Sequence, residues 1–135
     1  DYSIIKENDL SSNTDATKTL SASFAAAPSI TAKGDTLYMS GLATKIYRHI
    51  FSTNETKLMV DVKEMVENAN IVYNTVTVDP VTEGVYFNTI KGYGDNVGIN
   101  QISIFDFSGA TPTLKAHYND CTRYPAGVFF TSNFR

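Results

Sequence analysis

The residues best suited to chemistry in this chain are few and scattered. Its one cysteine, Cys121, excludes an intramolecular disulfide and a cysteine-built zinc site within one chain. A nucleophilic thiol needs a base, and the two histidines, His49 and His117, lie in strand-like segments with no motif tying either to Cys121. A small buried or half-buried filler is the plainer reading of that cysteine. No serine stands in a G-x-S-x-G context for a histidine to activate. Asp61, Glu64 and Glu67 fall in or beside a short helical pattern, where acids complement the helix dipole and face water. Asp106, in the middle of the apolar run 101–108 (QISIFDFS), is the one acid that would demand donors if buried. Asn54-Glu55-Thr56 is formally a glycosylation sequon and reads more simply as a turn.

The strongest cluster is the segment 91–100 (KGYGDNVGIN). Gly92, Gly94 and Gly98 let the backbone approach a ligand; Asp95, Asn96 and Asn100 offer oxygens; Tyr93 offers a flat face of the kind that stacks on carbohydrate. The segment matches neither a dinucleotide-binding glycine motif nor a P-loop, and it lacks the spacing of an EF-hand. The competing reading is a long inter-strand loop whose glycines serve turns. The expected ligand-binding set is therefore Tyr93, Asp95, Asn96 and Asn100, with no catalytic set, no metal-ligating set and no cofactor.

What must position such a loop follows from composition and periodicity. A chain of 135 residues with 42% hydrophobic and 19% charged residues suits one globular domain with a modest core. A net charge of -3 offers no basic footprint for nucleic acid. No apolar run approaches the roughly 18–20 residues of a membrane helix, and no leader pattern opens the chain, which reads as mature or trimmed protein. Eight Tyr and eight Phe among many Thr, Ser and Val favour pleated surfaces. Residues 1–18 read as a polar terminal segment and 19–24 as a half-buried strand. A hairpin follows around Lys33-Gly34-Asp35; then come strands at 45–52, with apolar groups on both faces, and at 57–62. Val62, Met65, Val66 and Ala69 at helical spacing, with Asp61 and Glu64 spaced as a capping box, predict a short helix over 63–68.

The second half repeats the first. Strands are expected at 75–79, 85–89, 101–108 and 113–118, with Pro80 and Gly84 shaping the first turn and Gly84 free to take positive φ. Ile46, Phe51, Ser52 and Leu58 recur 56 residues later as Ile102, Phe107, Ser108 and Leu114, and Leu37-Tyr38-Met39 aligns with Val85-Tyr86-Phe87. A four-stranded meander used twice is the pattern of propeller blades, here at about 28–62 and 71–118. A preceding outer strand at 19–24 and a following inner strand at 125–131 complete the domain 19–135. The motifs Asp79-Pro80-x-Thr82-x-Gly84-Val85-Tyr86, Ile102-Ser103-Ile104-Phe105-Asp106-Phe107-Ser108-Gly109 and Pro125-Ala126-Gly127-Val128 resemble the repeat of the YVTN and quinoprotein-like β-propellers, especially extracytoplasmic bacterial members.

That resemblance covers residues 19–131 and implies an all-β partial propeller: two blades plus flanking strands, part of a longer ring. A β-sandwich is the rival architecture for this length. It also implies a place in the periplasm or on the cell surface. The partners would be remaining blades of a longer chain or copies of itself, with a carbohydrate or cell-surface ligand. The leading expectation is a non-enzymatic segment for ligand binding, adhesion or scaffolding. The competing one is part of a propeller enzyme, either a calcium-dependent lactonase-like hydrolase or a quinoprotein-like dehydrogenase; the lack of Trp weakens the latter. Phe107 and Ile104 are both expected between sheets.

Overall fold

The computed structural model describes residues 29–41 and 43–131, so the segment 1–18 and the strand expected at 19–24 lie outside the described residues. The chain is all-β. Strands β1 (Ser29–Lys33), β2 (Thr36–Ser40), β3 (Lys45–Ile50) and β4 (Glu55–Asp61) form one antiparallel meander; β5 (Ile71–Val78), β6 (Val85–Ile90), β7 (Asn100–Asp106) and β8 (Thr113–Asn119) form a second. Both sheets are open, their strands in sequence order.

The two meanders share one register. Tyr38 pairs with Arg48 and Met39 with Tyr47 in the first sheet; Tyr86 pairs with Ile104 and Phe87 with Ser103 in the second. Offsets of 48 residues for the second strand and 56 for the third therefore map one hairpin onto the other, as the aligned sequence motifs require. The fourth strand departs from this. Leu58 pairs with Tyr47, but Leu114 pairs with Phe105, which corresponds to His49, so Leu58 and Leu114 are not equivalent. The turn at 107–112 is two residues longer than that at 51–54, and an even slip keeps each side chain on its face.

Each sheet has two distinct faces. Leu37, Met39, Tyr47 and His49 of the first correspond to Val85, Phe87, Ser103 and Phe105 of the second; Tyr38, Ile46 and Arg48 correspond to Tyr86, Ile102 and Ile104. The sheets stack with the Tyr38 face of the first on the Phe87 face of the second, so unlike faces meet. Ile46 and Val60 enter the core from one side and Val76, Val78, Val85, Phe87, Phe105 and Phe107 from the other. Phe105 and Phe107 lie parallel at 5.7 Å, Tyr38 meets Phe107 at 5.8 Å, and the Arg48 guanidinium donates to the Phe107 carbonyl at 3.1 Å. Phe107 is thus between the sheets, as expected, whereas Ile104 lies half-buried on the opposite face because strand alternation separates the two. Where the first strands of the two sheets meet, Val76 N–H donates to Ser29 Oγ at 2.9 Å and Val78 N–H to Thr31 Oγ1 at 3.3 Å, joining β5 to β1 through side chains.

Four local expectations are corrected. The helix at 63–68 is only a 3-10 turn over Val62–Glu64; Asp61 makes no cap bond, because its carboxylate instead accepts from Thr44 Oγ1 at 2.6 Å. Val62, Val66 and Ala69 still fill the core, while Met65 is exposed. In the turn after β5 it is Glu83, at φ 63°, that takes the left-handed conformation. Gly84 serves close packing there: a Cβ on it would stand 3.2 Å from Ile104 Cγ2. Residues 125–131 form no strand; they cross the Tyr86 face of the second sheet without a ladder, Phe130 meeting Tyr86 edge-on at 5.0 Å. β5 also begins earlier than expected, at Ile71, with irregular pairing between Val72 and Val76.

Candidate functional site

The loop between β6 and β7 leaves the sheet at Lys91 and returns at Ile99, where Lys91 N–H donates to the Ile99 carbonyl at 2.9 Å. Between them a 3-10 turn, Gly94–Gly98, is preceded by extended Tyr93. Gly94 has φ 65°, a conformation that other residues reach only at a cost, and it turns the chain directly after the tyrosine. Tyr93 is 69% exposed, and Asp95 and Asn96 are exposed beside it. The Asn96 Cβ sits where a side chain at residue 92 would go, 3.3 Å from an ideal Cβ position there, so Gly92 lets the loop fold back on itself. These three expected residues share one rim loop with side chains open to solvent.

Asn100 stands apart from them. It is fully buried, and its amide Nδ2 donates to the carbonyls of Gly98 at 3.1 Å, Val97 at 3.4 Å and Thr122 at 2.5 Å. Its backbone N–H donates to Asp120 Oδ1 at 3.2 Å, and the Asp120 N–H returns to the Asn100 carbonyl at 2.8 Å. Asn100 is therefore the tie that holds the loop base to the segment after β8. Sequence reasoning missed Asp120 and Thr122 as its partners. The available signal was Asn119-Asp120, a pair that tolerates left-handed backbone, and Asp120 does adopt φ 50°.

The other chemically suggestive residues disperse. Asp106 is surface-placed: its Oδ1 accepts from Ser108 N–H at 2.8 Å and Lys115 Nζ lies 3.9 Å from Oδ2. Bonds from the Ser108 side chain and backbone hold its carboxyl below the usual carboxylate range. Asp79 is treated alike, by Thr82 Oγ1 at 2.5 Å and Val81 N–H at 2.8 Å, which lower its pKa. Both acids build turns. His49 is buried, with Nδ1 2.9 Å from Thr56 Oγ1; His117 and Cys121 are exposed. Among the described residues no three of His, Cys, Asp and Glu gather as a group that could hold a metal ion.

Concavities among the described residues lie elsewhere, and two are the larger. One, about 460 Å³, runs beside β1, β5 and residues 128–130, where Ile30 and Phe129 are exposed. The other, about 350 Å³, is polar and lies between residues 65–68 and the β7–β8 edge, with Glu67, Gln101, His117 and Asp120 on its walls. No helix of the described residues is long and apolar enough to cross a membrane.

Two stacked meanders in one register, with an exposed aromatic loop at the rim, define an all-β domain of repeated antiparallel sheets. The chain belongs to the DUF5074 family, a domain of unknown function, whose family model matches residues 1–131. No curated protein and no solved structure gives a significant match.

Proposed function

We propose that this chain is a non-enzymatic, extracytoplasmic segment of a β-propeller that acts in ligand binding, adhesion or scaffolding. The observation that carries the reading is the meeting of unlike faces. A sandwich built from two copies of one sheet can close by apposing like faces. A stack that sets the Tyr38 face on the Phe87 face leaves the equivalent Tyr86 face without a sheet on it among the described residues, crossed by residues 125–131 over Asn88 and Tyr86, and a ring or an open array forms where a further sheet takes the place of that segment. Further sheets of the same repeat, from a longer polypeptide or a second copy, are the partners this face fits. The resemblance of the turn and strand motifs to YVTN and quinoprotein-like repeats supports the same architecture and the placement outside the cytoplasm.

In such a stack the strands are committed to packing, and recognition falls to the rim. Tyr93, with Asp95 and Asn96 beside it, presents an aromatic face and oxygen acceptors on one loop, a combination suited to a carbohydrate on a cell surface. Asn100 positions that loop. Binding of the full chain to a glycan array, repeated with Tyr93→Ala, tests this. We expect a defined carbohydrate class to bind and Tyr93→Ala to weaken it at least about tenfold, the equivalent of 1.4 kcal/mol, with the melting temperature unchanged. No binding, or binding indifferent to Tyr93, would remove the loop from the proposal.

A further inference from the structure

Ser40 and Asn88 occupy the same place in the two meanders, since Ser40 pairs with Ile46 and Asn88 with Ile102. Both are fully buried, and both end in an oxygen, Ser40 Oγ and Asn88 Oδ1, with no hydrogen-bond partner among the described residues. Diagonally across the neighbouring strand stand Thr44 and Asn100, themselves equivalent and buried. Their carbonyls do the same work: Val62 N–H donates to Thr44 O and Asp120 N–H to Asn100 O, each at 2.8 Å. Each meander thus carries one polar nook, at the point where the chain leaves its fourth strand.

The amide orientations in the second nook are fixed by the backbone carbonyls that accept from them. Asn88 Nδ2 donates to the Pro125 carbonyl at 3.2 Å and Asn100 Nδ2 to Gly98 and Thr122, so Asn88 Oδ1 and Asn100 Oδ1 are the atoms left over. Diagonal neighbours on one face of an antiparallel pair have Cβ atoms somewhat less than about 7–8 Å apart, a spacing that one small guest can bridge when both side chains turn toward it. Buried acceptors left unpaired are costly, and interiors rarely tolerate them. The guest must donate to two amide oxygens in the second nook. In the first it must meet a serine hydroxyl that needs both a donor and an acceptor. Water satisfies both demands; a cation could take the amide oxygens or the hydroxyl oxygen but would leave the hydroxyl proton without an acceptor.

We propose that each meander binds one buried water, at Ser40 in the first and between Asn88 and Asn100 in the second, and that this water fastens the outgoing connector to its sheet. The inference rests on the shared register and stands whatever the chain binds. Magnetic relaxation dispersion of solvent ²H and ¹⁷O, which counts long-lived waters, tests it on the full chain. Ser40→Ala and Asn88→Leu should each lower the count by one relative to wild type, with circular dichroism unchanged. Ser40→Ala removes a single oxygen and keeps the test decisive should Asn88→Leu fold poorly. An unchanged count in Ser40→Ala would overturn the proposal. So would a wild-type melting temperature that rises in sodium or potassium over choline at equal ionic strength, because the guest would then be a cation.

Discussion

The two tyrosine faces of this molecule carry equivalent residues and meet different fates. Tyr38, half-buried, packs on Phe107 of the facing sheet, with Arg48 bonded to the Phe107 backbone. Among the described residues Tyr86 meets Phe130 from a crossing segment without strand structure; Asn88 is buried beneath the same segment, while Ile102 and Ile104 stay half-buried. The difference lies in what covers each face, since the strands beneath keep one register. On the proposed reading a repeated sheet with two unlike faces takes another sheet on each, and the contrast between the seam and the outer face is where that proposal can be tested.

The largest effect should come from the seam. Phe107 is only 2% exposed, so Phe107→Ala is expected to cost about 3–5 kcal/mol through lost transfer energy and the cavity left behind. Denaturant titration with an unchanged m-value would check it, and a loss below about 1 kcal/mol would put Phe107 outside the seam. On the outer face, Tyr86→Ala removes a half-buried ring and one edge-on aromatic contact. It should cost roughly 1–2 kcal/mol, an aromatic pair supplying about 0.5–1.5 of that. Equal costs at the two positions would erase the contrast.

Smaller effects sharpen the same comparison. The Lys33–Glu83 ion pair at 2.9 Å links the first turn of one sheet to that of the other across the seam, but both side chains reach water. Lys33→Ala should therefore shift stability by about 0.5 kcal/mol or less, and salt should diminish the effect. Tyr38 gives the seam a signature at alkaline pH. Burial raises its phenol above the usual 10.0, with Arg48 partly opposing and Glu83 and Asp106 adding to the rise. Above the unfolded value the unfolded chain gives up this proton more readily than the folded one. Stability should be fully present below about pH 10 and fall as pH climbs through the folded pKa. Thermal melts from neutral to alkaline pH should show Tyr38→Phe losing that part of the slope; an unchanged slope would place Tyr38 in water.

Much of this architecture was legible before any coordinates. Alternation of apolar and polar residues marks the hairpins, and Leu37-Tyr38-Met39 and Val85-Tyr86-Phe87 announce their equivalence because strand faces repeat every second residue. The Leu58–Leu114 match misled because a turn longer by two residues preserves alternation while moving the partner. The direction of stacking was hidden for a related reason: each sheet has an apolar side chain available on both faces, and alternation does not say which faces meet. Of the binding loop, the exposed trio Tyr93, Asp95 and Asn96 was readable from residue type. The interior role of Asn100 was not, since its partners at 120–122 lie beyond an entire strand pair.

Light scattering of the full chain across a wide concentration range tests the central claim most directly. If the Tyr86 face is an unfinished stacking surface, the mass should rise above 14.8 kDa as concentration increases. Ile104→Asp, which places a charge in the middle of that face, should hold it at the monomer value. A wild-type chain that stays monomeric at every concentration, with a fully protected hydrogen-exchange core, would contradict the open stack and favour a self-contained pair of sheets.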